Sequence, residues 1–158
     1  MSDAFYRPEI LEKSARPPFA PGEPRAHVLI VDDDRDARTV CASYCDLFDH
    51  ASQSVSTLGE ATPALRGGVF DVVVAGLDMT GSSGLELVRT IRTLPRPIGA
   101  IPIIGLAGLG RADEAQRWLA AGCFAVVAKP VTAARLFAAL SEATRSPIPE
   151  RRSWAPAG

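Results

Sequence analysis

Short runs with strand character alternate five times with segments of helical spacing, and this alternation limits the chain to few architectures. His27 to Val31, Ser52 to Ser56, Phe70 to Ala75, Ile101 to Leu106 and Phe124 to Ala128 have the length of strands, and Phe70 to Ala75 is β-branched and apolar on both faces. Between them lie helical patterns at Asp34 to Asp49, Thr57 to Leu65, Leu85 to Leu94 and Ala112 to Ala121, with a last helix capped by Thr132 and carrying Leu136, Phe137 and Leu140. The stops are equally legible: Gly67 and Gly68 follow the second helix, Pro95 and Pro97 the third, Gly122 the fourth. Thr57 and Glu60 have the spacing of a capping box. In the first helix, Val40, Tyr44, Leu47 and Phe48 are expected to face the core. Strands apolar enough to be covered on both faces, each followed by a helix, predict an α/β fold: a doubly wound, five-stranded parallel sheet.

The chain has 158 residues, 47% of them hydrophobic, which suits one domain of roughly 100 to 200 residues with extensions. Proline marks those extensions. Pro8, Pro17, Pro18, Pro21 and Pro24 crowd the first 25 residues, and Pro147, Pro149 and Pro156 follow Arg145. A continuous helix or central strand is excluded there. The expected organisation is a proline-rich arm at 1–25, a folded domain at 26–144 and a tail at 145–158. With 17 Lys+Arg against 18 Asp+Glu the net charge is −1, so no global field draws the chain to DNA or to an anionic membrane. The longest apolar stretch, Ile98 to Leu109, is far shorter than the roughly 20 residues of a spanning helix. Met1 to Lys13 lacks the apolar core of a signal peptide and the three cysteines are an odd count, so a reducing cytoplasm is the expected location. Cys41 and Cys45, four residues apart without a nearby His, make a poor zinc pair and are expected to be core filling.

Doubly wound sheets bind ligands beyond the carboxyl ends of their strands. The residues there are Asp32, Asp33 and Asp34, then Gly76 to Met79, then Ala107 and Gly108, then Lys129 and Pro130. An acidic strand-to-helix turn that favours a helix N-terminus explains the aspartates alone, but not Lys129 followed by Pro130 as well. The runs VLIVDDDRDAR (Val28 to Arg38), GLELVRTIR (Gly84 to Arg92) and AGCFAVVAKP (Ala121 to Pro130) resemble the receiver domain of bacterial two-component response regulators, whose fold is flavodoxin-like, or CheY-like. That resemblance implies an acidic pair holding magnesium, a phosphoacceptor aspartate ending strand three, and a lysine neutralising the product.

Here the pattern departs. In FDVVVAGLDM, from Phe70 to Met79, Gly76 stands at the acceptor position; Asp71 comes five residues too early and Asp78 two too late. The hydroxyl position after strand four is Ala107, and the aromatic switch position in strand five is Val126. The chain therefore resembles a degenerate pseudo-receiver, with no catalytic residue and no enzymatic activity expected. Asp32, Asp33 and Lys129 would remain as an ion-pair network stabilising the rim, with weak Mg2+ binding at Asp32 and Asp33.

The tail RSPIPERRSW, from Arg145 to Trp154, concentrates positive charge beside an aromatic. Residues 145–158 carry net +2, whereas residues 26–144 carry −3. Arg forks onto phosphate or a guanine edge, and Trp offers a stacking face. The segment is similar to the arginine-rich tail of the CheY-like Cle proteins that bind cyclic di-GMP, some of which act at the flagellar motor. The likeness implies a site at Arg145, Arg151, Arg152 and Trp154. The other reading of the same residues is a solvated basic tail. Two function classes follow: an adaptor gated by a cyclic dinucleotide, and a constitutive docking module. Either would meet a histidine kinase, a motor component or another regulator through the helix 4, strand 5 and helix 5 face. A third, a phosphoacceptor using Asp78, requires a nucleophile shifted by two residues to reach the same geometry.

Overall fold

The computed structural model describes residues 25–78, 84–108 and 112–145, the first three residues of the last segment by backbone alone. In chain order the elements are β1 (His27–Val31), α1 (Arg35–Leu47), β2 (Ala51–Val55), α2 (Leu58–Gly67), β3 (Val72–Gly76), α3 (Gly84–Arg92), a 3-10 turn (Ile98–Ala100), β4 (Ile103–Ala107), α4 (Ala112–Ala121), β5 (Ala125–Ala128) and α5 (Ala133–Arg145). All strand pairs are parallel, in the order β2-β1-β3-β4-β5. The expected doubly wound α/β sheet is the observed one.

Strand alternation divides the core into two layers. Leu29, Val31, Val73, Ala75, Ile103 and Val126 pack with Leu65 of α2, Leu87, Val88 and Ile91 of α3 and Trp118 of α4. Val28, Ile30, Val72, Val74, Ile104, Leu106 and Val127 pack with Cys41 and Cys45 of α1 and with Leu136, Ala139 and Leu140 of α5. The order of connection reverses between β1 and β3, which places the crevice of a doubly wound sheet above their carboxyl ends.

Local signals act as the sequence predicts. The Thr57 hydroxyl accepts from the Glu60 backbone N–H at 3.1 Å, and the Glu60 carboxylate reaches back to Ser56 N at 2.8 Å, one residue beyond the cap itself. That reach holds the Glu60 carboxyl below the usual carboxylate range. Thr132 Oγ1 accepts from Arg135 N at 3.2 Å and starts α5.

Two expectations are corrected. On α1 the buried residues are Cys41 and Cys45, while Val40 is 38% and Leu47 68% exposed. The small Cys41 and Cys45 fill the inner face of α1, Tyr44 and Phe48 are half-buried and pack against the same layer as expected, and Val40 and Leu47 turn outward. The second correction is β2, which starts at Ala51 and leaves Ser52, Gln53 and Ser54 exposed. As an edge strand it is not covered on both faces, in keeping with its polar sequence.

The three cysteines are buried and free, as expected of core filling. Burial pushes each thiol up to about 12, so none is a thiolate nucleophile near neutral pH.

His50 is buried between α1 and β2, edge-on to Phe48 with ring centroids 6.3 Å apart. Burial, followed by the charge of Arg25, lowers it to about 4, against opposing contributions from Asp49 and Asp71. Its folded value lies below its unfolded one, so the unfolded chain binds the extra proton. Stability attributable to His50 is therefore complete above about pH 6.5 and falls as pH drops towards 4, by on the order of 2–3 kcal/mol. Urea denaturation across that window, with His50→Leu as the reference, should show the slope in the native chain and a flatter profile in the variant.

Candidate functional site

The rim above β1, β3, β4 and β5 is organised around one carboxylate. Parallel pairing sets Val31 opposite Ala75, so the next position along brings Asp32 to Gly76. Asp32 is 1% exposed, and both its oxygens are committed. Oδ2 accepts from Lys129 Nζ at 2.9 Å, and Oδ1 accepts from the Asp34 backbone N–H at 3.0 Å. Its carbonyl oxygen accepts from Arg38 Nη1 at 2.7 Å, which ties the strand end to the first turns of α1.

Gly76 shapes this arrangement. A Cβ built there would lie 2.6 Å from Asp32 Cγ and would collide with Oδ2. The Asp32 carboxyl thus occupies the space in which any side chain at position 76 would begin. Lys129 spans 97 residues of sequence to complete the pair, its own N–H donating to the Ala107 carbonyl at 2.7 Å. Ala107 and Val126 are both buried in the apolar layers and bring no hydroxyl or aromatic ring to the rim.

The remaining acids divide. Asp33 is exposed, whereas Asp32 is buried and pairs with Lys129. Asp34 is the N-cap of α1, accepting from Asp36 N at 3.1 Å. Asp78 is exposed, and its Oδ2 accepts from Gly108 N at 2.7 Å, bridging the ends of β3 and β4. Asp71 accepts from His27 N at 2.8 Å at the amino end of β1, the opposite end of the sheet.

The residues present do not fit magnesium well. An octahedral cation needs several oxygens free to turn toward it, and engaging Asp32 means displacing Lys129 from Oδ2. Position 76 offers no carboxylate. Among the described residues no cluster of three His, Cys, Asp or Glu side chains forms a metal site.

Beside the rim a groove of about 510 Å³ runs between α1 and the segment joining β5 to α5. Ala37, Val40, Tyr44, Pro130 and Val131 form its apolar floor, with Asp34, Asp36 and Lys129 at its polar margin. Sequence reasoning misses it, because helical periodicity alone turns Val40 inward. Of the proposed tail site, Arg145 lies in the last turn of α5 and pairs with Glu142 at 3.2 Å. Arg151, Arg152 and Trp154 lie outside the described residues.

Known proteins agree with this architecture. The family model of the response regulator receiver domain matches residues 28–141, and the chain belongs to that family. It is 31% identical over 126 residues to regulatory protein VirG of Agrobacterium fabrum, covering 78% of this chain and 48% of that protein. It is 34% identical over 131 residues to the C4-dicarboxylate transport transcriptional regulatory protein DctD of Rhizobium meliloti, covering 80% of this chain and 27% of that one. The chain thus spans less than half the length of these curated relatives. Among solved structures, a response regulator from Chloroflexus aurantiacus superposes with a TM-score of 0.72 at 20% identity, covering 78% of this chain and all of that one. The CheY-like receiver domain protein of Methanospirillum hungatei gives 0.68 at 22% identity, covering 80% and 96%. Receiver domains are signalling modules that interact with histidine kinases and other signalling proteins. Among the described residues no helix is long and apolar enough to cross a membrane.

Proposed function

We propose that this receiver acts without phosphorylation, as a pseudo-receiver adaptor whose output is protein–protein contact in the cytoplasm. The observation that carries the reading is the Asp32 carboxylate lying over Gly76, held there by Lys129. In-line phosphoryl transfer needs an accessible carboxylate with a metal beside it, and the acid nearest the acceptor position is buried and doubly bonded. Asp78 is committed through Oδ2 to the Gly108 amide.

On this reading Asp32 and Lys129 are a structural rim pair, and no magnesium is required. Residues 1–25 serve as an arm, 26–144 as the adaptor domain and 145–158 as the input. The input ligand is cyclic di-GMP, taken by Arg145, Arg151, Arg152 and Trp154. The partner is a histidine kinase, a motor component or another regulator, gripped by α4, β5 and α5. Support for a nucleotide rests on the chemistry of the tail: guanidinium forks for two phosphates and an indole for a guanine face.

One observation favours the second reading, a constitutive docking module with no small-molecule ligand. Arg145 already pairs with Glu142 at 3.2 Å within α5, so a phosphate would have to compete for it. Calorimetry of the full chain against a panel of cyclic dinucleotides separates the two. The adaptor reading expects saturable binding of cyclic di-GMP and a stability gain of about 2.7 kcal/mol at a hundredfold excess over Kd. Absence of both assigns the chain to constitutive docking.

A further inference from the structure

The groove beside α1 is the outward end of a longer apolar stripe. Ala37, Val40, Tyr44 and Leu47 recur at spacings of three and four residues, the pattern by which one helix face packs against a partner. Val40 and Leu47 are the exposed large hydrophobic residues among those described. The stripe flanks a groove whose margin bears Asp34 and Asp36, with Lys129 already neutralised by Asp32. Its complement is a segment with a large apolar side chain next to positive charge.

Two parts of this chain lie close enough in sequence to be considered. Residues 1–24 carry three Lys+Arg and four Asp+Glu, a net charge of −1 that the acidic margin disfavours. Residues 146–158 carry Arg151 and Arg152 two residues before Trp154, with a single acid, Glu150. Reach also fits. The 13 residues of α5 rise about 20 Å from the groove end at Val131 to Arg145, and nine proline-stiffened residues from Arg145 to Trp154 extend about 28 Å. Since α1 and α5 are neighbours, with Phe48 and Phe137 ring centroids 4.7 Å apart, the return path follows their common flank.

We propose that residues 146–158 fold back along α5 and occupy this groove, Trp154 covering Val40, Tyr44 and Val131 and Arg151 and Arg152 meeting Asp34 and Asp36.

The test is acrylamide quenching of Trp154 in the full chain, with the signal of the buried Trp118 removed by subtracting the Trp154→Phe variant. No nucleotide is present, so the result is independent of whether the tail binds cyclic di-GMP. The expected result is a Trp154 quenching constant severalfold below that of free tryptophan and unchanged on dilution. Val40→Gln and Asp36→Lys, both at exposed positions, should each raise it toward the free value at nearly constant melting temperature. Free-level quenching in the native chain overturns the proposal. So does shielding that neither variant relieves, which places the tail elsewhere. Shielding lost on dilution also overturns it, and assigns the groove to a second copy.

Discussion

Lys129→Met should destabilise the receiver by about 3 kcal/mol or more, the largest single effect expected within the fold. The side chains of Lys129 and Asp32 are 25% and 2% exposed, so the lysine retains some contact with water while the carboxylate has almost none. Removing the ammonium leaves Asp32 with one backbone N–H, from Asp34, and an uncompensated charge. Urea unfolding should show a lower midpoint at unchanged slope. Adding Asp32→Asn in the same chain removes the charge while keeping an oxygen for the Asp34 amide, and should recover at least half of the loss. A single variant as stable as the native chain would mean that the pair contributes nothing, and that Lys129 is kept for another role.

The second large effect concerns the tail. Deletion of residues 146–158 should abolish cyclic di-GMP binding while moving the melting temperature by less than about 4 °C, the equivalent of 1 kcal/mol in a domain of this size. Arg151→Ala and Arg152→Ala should each weaken binding by about 1.5–3 kcal/mol through a lost charge-assisted hydrogen bond. Trp154→Ala should weaken it by about 1–3 kcal/mol through lost stacking. Titration calorimetry of the four proteins measures all of this. Tight binding by the truncated chain would move the ligand to the receiver itself.

Alternation of strand and helix, the Thr57 and Thr132 caps and the Lys129-Pro130 pair were legible because each depends on local chemistry or on short spacing. The inner face of α1 was not. Val40 and Leu47 are larger apolar residues than Cys41 and Cys45, and helical periodicity alone places either set inward; packing against the sheet decides in favour of the cysteines, with Tyr44 and Phe48 half-buried beside them. The polar run from Ser52 to Ser54 was readable as a strand but not as an edge, since strand order is a tertiary property. At the rim, the missing carboxylate at position 76 was plain from the sequence. The consequence was not: Asp32 leans into the vacated space only because β1 and β3 pair in a register that sets it against a residue without a Cβ. Strand alternation buries Asp32 and leaves the next residue, Asp33, exposed.

On the proposed reading, this receiver holds no usable phosphoacceptor. Incubating the full chain with acetyl phosphate and Mg2+, and separately with beryllofluoride and Mg2+, measures it directly by intact mass and by heteronuclear NMR. An unchanged mass is expected, with amide spectra that do not shift at Asp32, Asp78, Gly108 or Lys129. A stoichiometric acid-labile phosphate on Asp78, or on any other aspartate of the rim, would contradict it.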